Sequence, residues 1–573
     1  MSRGFSNDGI ESALGEPSTE PAPTGWATVD KTVFGVSAAI ILLVCLAGVF
    51  FTDAVGAAAS SALGWVTGNV GWLFILGASG FVIFSLVLAL GKYGSIPLSR
   101  EGQGTEFSTL SWVSMMFSAG MGIGLMFFGV YEPVTHLASP PPFVDAAPNS
   151  PDAANAAMAY TFFHWGLHPW AIYSVVGLAL AYSTYRMGRG NLMSAPFQAL
   201  LGKERIETKG WGKPIDILAI ICTKFGSATS LGLGALQIAA GISLLRTGSF
   251  ADDPGTALPI IIICVLTVGV VFSAASGLSK GIKWLSNTNM ILSAVLFVFV
   301  FVVGPTVFIL DLLPSAVGAY LTDLVPMSFH SAVFGGGDWL ASWTIFYWAW
   351  WISWTPFVGT FIARISRGRT IREFVLGVLL VPTGVSILWF VVFGGAGLNL
   401  QLGGVDIAGT GSEAAGFFAA LQNYPFFIGS ALVVMVLTAV LFVSGADAGA
   451  LVLGTLSSRG RKEPWKPLVI FWAVLTGAVA AVLLFVGGLG ALQTFTILAA
   501  SPFVLIIIGL CVSLVVDLRR DPLRQRTLGP VRTSTEVLGT VPFTNRPVTG
   551  AIDIVQPADT APPTDTGPNE TGR

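Results

Sequence analysis

"FSAGMGIGLMFF", Phe117–Phe128, sets Gly120, Gly122 and Gly124 at alternate positions in the middle of an apolar run. Glycine costs a helix interior about 1 kcal/mol relative to alanine, so this spacing puts the continuity of the helix in question. Two readings fit it. Small residues let membrane helices pack closely. Alternatively the backbone unwinds and its freed polar groups line a cavity, since irregular backbone at membrane depth is tolerated only away from lipid.

Both readings place the run in a membrane, and the composition agrees. Of 573 residues, 53% are hydrophobic and 10% charged, against about 25% charged in soluble proteins. Apolar runs of about 20 residues, enough for a hydrocarbon core of about 30 Å, recur from "VFGVSAAIILLVCLAGVFF" at Val33–Phe51 onward. Twelve spans are expected: this first run and others near 70–90, 109–131, 158–182, 214–245, 258–275, 288–312, 340–363, 374–397, 426–444, 468–488 and 492–516. The first run is too long for a signal-peptide core, so it is retained as a helix. Cys45, Cys222, Cys264 and Cys511 lie in apolar segments without close spacing, which indicates packing rather than disulfides or a metal site.

Basic residues orient the chain. Lys92 and Arg100, Arg186 to Lys213, Lys280 and Lys283, Arg364 to Arg372, and Arg459 to Lys466 fall in one set of connections, whereas the opposite set holds only Arg246. By the positive-inside rule both termini are cytoplasmic, as suits a plasma-membrane protein. The carboxylates of the outer connections, Glu413 among them, read as solvated surface. One outer connection, Pro314–His330, mixes apolar and polar residues and suits a helix along the membrane surface. The chain divides into an N-terminal tail (1–30), a membrane domain (31–517) and a Pro-, Thr- and Gly-rich tail (518–573) without the apolar surface needed for order.

In the eighth span, "YWAWWISWTPF" (Tyr347–Phe357) carries Pro356, whose missing amide and ring can break a helix. Two interrupted spans then stand five apart, a pattern of inverted-repeat transporters. The repeats are about 107–313 and 338–517, with the first two spans outside them. At 100° per residue, Trp350, Trp351 and Trp354 share a face beside this expected break. Trp165, Trp170 and Tyr173 cluster likewise in "FHWGLHPWAIY", Phe163–Tyr173. Rings around a cavity, with no carboxylate among them, suit a quaternary ammonium ion, which cannot donate hydrogen bonds but is attracted to ring faces. His164 and His168 read as hydrogen-bonding residues inside the bundle, since neither has a nearby acidic or thiol partner in sequence for a metal site.

These stretches, with "GMGIGLMF", "GSATSLGLGALQI", "GIKWLSNTN" and "WAWWISWTPFVGTFIARISRGRT", resemble the betaine/choline/carnitine transporter family over about residues 30–517. The resemblance implies an all-α membrane protein with twelve helices in a LeuT-type 5+5 inverted repeat, two additional N-terminal helices, alternating access and often a homotrimer. It implies an aromatic box of Trp165, Trp170, Tyr173 and Trp351, with Trp350 and Trp354 on the intracellular path. It brings the backbone of Ala119, Gly120 and Met121 to the substrate and makes Phe127, Phe357 and Phe361 gating or path-lining aromatics. Choline transporters of the family tend to carry aspartate at the position of Gly124, so glycine favours betaine-like zwitterions.

For a coupling sodium ion the resemblance implies two sites. One would use Ser118 and Met121 backbone with Ser444, where Gly445 replaces a hydroxyl residue; the other would use Thr223 and Ser227, near Phe357. Lys224 departs from the apolar residue expected beside Thr223. It would either place a fixed charge near the second ion site or snorkel to the cytoplasmic side. The basic stretch after the last span is too short for the long C-terminal helix of osmotically sensing members. No nucleophile and base pair, phosphate loop or appended soluble domain is legible, which argues against an enzyme, a nucleic-acid partner or a cofactor beyond the ion. A receptor for onium compounds without a transport cycle is the reading from another class.

Overall fold

The computed structural model describes residues 25–521 and 523 apart from 121, 249–254, 277 and 411; for 117–120, 276, 278–284 and 286 it describes the backbone alone. All regular elements among the described residues are helical, and extended backbone pairs there in one isolated bridge, Pro97 with Thr370. The longer helices are α1 (Lys31–Phe50), α2 (Thr52–Leu90), α3 (Thr109–Gly120), α4 (Ile123–Ala138), α5 (Pro151–Trp165), α6 (Leu167–Ala181) and α7 (Lys213–Thr247). They continue as α8 (Ala257–Ser276), α9 (Leu278–Val303), α10 (Thr306–Phe329), α11 (Phe346–Ile365), α12 (Ile371–Leu402), α13 (Phe427–Ser457) and α14 (Lys466–Arg520).

Sequence sets where these helices begin. The Asp30 carboxylate accepts from the Thr32 and Val33 amides, both at 3.1 Å, and starts α1. Ser150 caps α5, and Thr370 with Glu373 forms a capping box on α12.

Eight helices among the described residues are long and apolar enough to cross a membrane. Neither α9 nor α11 is among the eight, whereas α10 is; the other differences from the twelve expected spans have local causes. The expected span 109–131 is two helices, α3 and α4, parted next to Gly122, whose φ and ψ are −146° and 172°. The span 158–182 is also two, α5 and α6, parted at Gly166. The last two expected spans form one 55-residue helix, α14, kinked at Gly487 and Gly488. The φ of +59° at Gly488 is a left-handed value that favours glycine.

The break expected at Pro356 is absent. Helix α11 runs through it from Phe346 to Ile365, preceded by a wider π turn over Ala341–Ile345. Proline frees the carbonyl of Ile352, four residues back, and the Thr355 hydroxyl donates to that carbonyl at 2.7 Å. Neighbouring hydroxyls of this kind let membrane helices retain proline. The stretch 314–329 is helical, but within a helix that begins at Thr306 and is long and apolar enough to cross a membrane, unlike the surface helix expected. Cys45 and Cys222 are buried, whereas Cys264 lies on an exposed face of α8.

Helix α7 is the hub, packed against α1, α4, α8, α11, α13 and α14. Most of its apolar window is buried, 83% against 33% for α1, so it can carry polar side chains that a lipid-facing helix cannot. The connections rich in Lys and Arg gather at one end of the bundle. There Asp30 meets Lys213 at 3.3 Å, Arg186 meets Asp521 at 2.5 Å, and Arg189 grips Asp517 at 2.6 and 2.9 Å. At the same end Arg364 clamps Glu106 through both carboxylate oxygens. These hydrogen bonds hold the Glu106 carboxyl below its usual range.

Candidate functional site

A cavity of about 630 Å³ lies between α4, α6, α7, α11 and α13 and reaches the basic end at Tyr185, Asn191, Arg364 and Lys462. At its deep end the α3–α4 break brings backbone to the wall at Gly122 and Gly124, beside Trp165, Trp350 and Trp351. A Cβ on Gly124 would lie 2.6 Å from the Trp165 ring and 2.7 Å from the Trp350 ring, so a side chain there has no room. At Gly122 the backbone is unwound and lines the cavity, the second reading, whereas Gly124, within α4, serves close packing against the rings, the first.

The rings form a connected wall. Trp165 and Trp351 meet edge to face at 4.9 Å, Tyr173 and Trp351 at 6.3 Å, and Trp170 and Tyr173 at 5.3 Å. Trp350 stacks on Trp351 at 5.0 Å and 15°. Each cluster indole N–H on α11 has an acceptor in the protein: Trp350 donates to Ser230 at 3.1 Å, Trp351 to the His164 carbonyl at 3.0 Å and Trp354 to the Gly226 carbonyl at 3.3 Å. The polar edges are tied down, which leaves apolar ring faces to line the cavity. Trp165, Trp170, Tyr173, Trp350, Trp351, Trp354, Phe357 and Phe361 all line it, as do Gly124, Ser444 and Gly445.

Other expected residues lie elsewhere. Phe127 is buried in the core, 1% exposed, and is not among the lining residues. Its neighbour Phe128 packs on Trp165 at 6.0 Å, on Trp350 at 6.1 Å and on Tyr347 at 5.3 Å. Ser118, Ala119 and Gly120 end α3, described by backbone alone, and Met121 lies outside the described residues. Trp348 only packs, against Phe163 and His168. His168 reaches the Ser328 hydroxyl at 3.2 Å, a bundle hydrogen bond as expected.

Oxygen donors are available on α7 and α13. The hydroxyls of Thr223 and Ser227, one turn apart on α7, are buried and without a hydrogen-bond partner. Ser444 receives a hydrogen bond from Asn289 at 3.1 Å and donates to the Leu441 carbonyl at 3.2 Å. Lys224 neither joins the two hydroxyls nor snorkels. Its fully buried Nζ donates to the Trp472 carbonyl at 2.7 Å and the Thr476 hydroxyl at 2.5 Å, over the Trp472 ring.

The residue that sequence reasoning missed is Glu132, a fully buried carboxylate on α4. The expectation that His164 lacks an acidic partner is overturned, because His164 Nδ1 lies 2.7 Å from Glu132. Glu132 also accepts from Trp165 Nε1 at 2.7 Å and from the Tyr347 hydroxyl at 2.5 Å. The available signal was an acid in an apolar segment, four residues before His136. Glu132, His136 and His164 have the donor types of a zinc site. However, two ligands about 2.0–2.1 Å from a shared tetrahedral ion sit well over 3 Å apart. The 2.7 Å contact is therefore a hydrogen bond.

The family model described as "BCCT, betaine/carnitine/choline family transporter" matches residues 32–523. A betaine/ectoine transporter of Corynebacterium glutamicum, LcoP, is 42% identical over 507 residues, 87% of this chain and 79% of the relative. The glycine betaine transporter OpuD of Bacillus subtilis is 42% identical over 494 residues, 86% of this chain and 95% of the relative. Glycine betaine transporter 1 of Vibrio parahaemolyticus is 40% identical over 506 residues, covering 86% and 94%.

Proposed function

The chain belongs to the betaine/carnitine/choline transporter family, and from that premise we propose that it imports glycine betaine or a related onium zwitterion by sodium symport. The observation that carries the substrate class is the set of rings, Trp165, Trp170, Tyr173 and Trp351, on one cavity wall. Each ring face is worth about 0.5–2 kcal/mol to a quaternary ammonium. With Gly124 in the wall, no acid stands there to attract a substrate lacking its own carboxylate, which favours zwitterions. Relatives named for betaine and ectoine agree with this class.

Sodium is supported by the buried, unpartnered Thr223 and Ser227 hydroxyls, hard oxygens of the kind such an ion takes. Alternating access is supported by the shape of the cavity. It reaches the basic, inward end, while Phe128, Tyr131, Trp343 and Tyr347 pack against one another beside the box. The halves 107–313 and 338–517 would act as inverted repeats in the plasma membrane, with cytoplasmic termini and three copies per assembly.

The test is accumulation of labelled glycine betaine in proteoliposomes. An inward sodium gradient drives uptake; accumulation that ignores sodium and follows a pH gradient refutes the coupling. That second reading, a proton-coupled carrier, has one observation in its favour. The buried Asp447 accepts from Ser273 at 2.7 Å, while its other oxygen has no partner, and Gly445 supplies no hydroxyl nearby.

A further inference from the structure

We propose that Glu132 is the counter-charge of the aromatic box: it acts on the onium group through the Trp165 indole and so sets affinity for the cation from behind the ring. This rests on the onium reading of the cavity. Glu132 does not line that cavity and is fully buried. One of its oxygens accepts the Trp165 N–H at 2.7 Å and the Tyr347 hydroxyl at 2.5 Å, and the other faces His164 Nδ1 at 2.7 Å. Two donors converge on one oxygen, and His164 Nδ1 adds a third on the other oxygen in the tautomer that carries its proton there, a set that suits an anion.

A carboxylate pulling on the indole N–H makes the ring face more negative, and the ring face is what attracts the cation. Tyr347 extends the same pull to a second wall, since its ring stacks on Trp351 at 6.1 Å and 13°. A carboxylate among the rings would compete with the substrate's own carboxylate, whereas one behind them does not.

Other groups face Glu132. His136 Nε2 is 3.7 Å away, and neither of its nitrogens has a hydrogen-bond partner. His164 Nε2 meets the Thr344 hydroxyl at 3.0 Å. This hydroxyl can donate or accept, so when residue 132 is an amide His164 can carry its proton on Nε2 and still keep both partners. Glu132→Gln is therefore an accommodated change: the amide oxygen keeps Trp165 and Tyr347, its NH2 donates to a deprotonated His164 Nδ1, and only the charge is lost.

The experiment is a double-mutant cycle on the full-length protein in nanodiscs, read as the Kd for glycine betaine. Glu132→Gln raises Kd about 3- to 10-fold, within the worth of one cation–π contact. Trp165→Phe, which keeps a ring but has no N–H, also raises it. Adding Glu132→Gln to Trp165→Phe raises it by less than Glu132→Gln does alone, because the path through the indole N–H is already gone, while melting curves of the same variants report any structural loss separately. An unchanged Kd in Glu132→Gln overturns the proposal, as does an equal effect in both backgrounds. Should Glu132→Gln not fold, a wild-type Kd in Trp165→Phe overturns it alone. Failure of the wild-type protein to bind any onium solute would instead refute the function proposed above.

Discussion

Gly124→Ala is the smallest change that tests whether the rings form a fitted box. The added Cβ would lie 2.6 Å from the Trp165 ring and 2.7 Å from the Trp350 ring, where carbon atoms prefer about 3.5 Å or more. One or both rings must retreat by close to an ångström. Neither is free to do so, because Trp165 is tied to Glu132 and Trp350 to Ser230 through their indole nitrogens. Overpacking of this kind costs about 1–3 kcal/mol, and a displaced Trp165 forfeits up to one cation–π contact, about 0.5–2 kcal/mol. If the second cost falls on the bound state alone, Kd for glycine betaine rises about 2- to 30-fold. The first cost lowers the thermal midpoint. Isothermal titration of the purified variant, with its melting curve, separates the two. An unchanged Kd in a folded variant would show that these rings do not hold the substrate.

Further outcomes follow from the same geometry. Trp351→Leu removes the ring shared by both aromatic groups and raises the KM for uptake roughly 5- to 30-fold; an unchanged KM counts against the box. Thr223→Val and Ser227→Ala each raise the sodium concentration for half-maximal uptake at least about threefold, one lost ligand's worth, while an unmoved sodium curve removes these hydroxyls from coupling. Lys224→Met leaves that curve in place, because its Nζ faces Trp472 and Thr476 rather than the hydroxyls; altered sodium dependence would return Lys224 to the ion path. Glu106 has a carboxyl value lowered from 4.5 by Arg364. Its clamp therefore contributes stability above pH 4.5 and loses it as pH falls through the lower folded value. The melting temperature of Glu106→Gln should fall less over that acid range than the wild type's, and equal losses would refute the role.

Much of this fold is legible because lipid simplifies the code. Long apolar runs, basic connections and a glycine-rich break can each be read without knowing a neighbour. Pro356 misled because proline states what it removes, while the repair by Thr355 depends on a rotamer. The break at Gly166 was hidden behind Pro169, the more visible irregularity one turn later. The angular clustering of Trp350, Trp351 and Trp354 was sufficient to find one wall of the site, since a helix fixes its own faces. The partners of Glu132 and the direction of Lys224 were not legible, because each is defined by residues more than 30 positions away, Trp165 and Tyr347 for one and Trp472 for the other.

The central claim is that ring faces select the substrate by its fully alkylated nitrogen. Uptake of labelled glycine betaine at fixed sodium, competed by glycine and its mono-, di- and trimethylated forms, tests it most directly. All four are zwitterions near neutral pH, and each methyl removes one N–H donor that aromatic walls cannot satisfy as water does. The account predicts that inhibition strengthens with every methyl and is strongest for glycine betaine itself. Equal competition by glycine would contradict it.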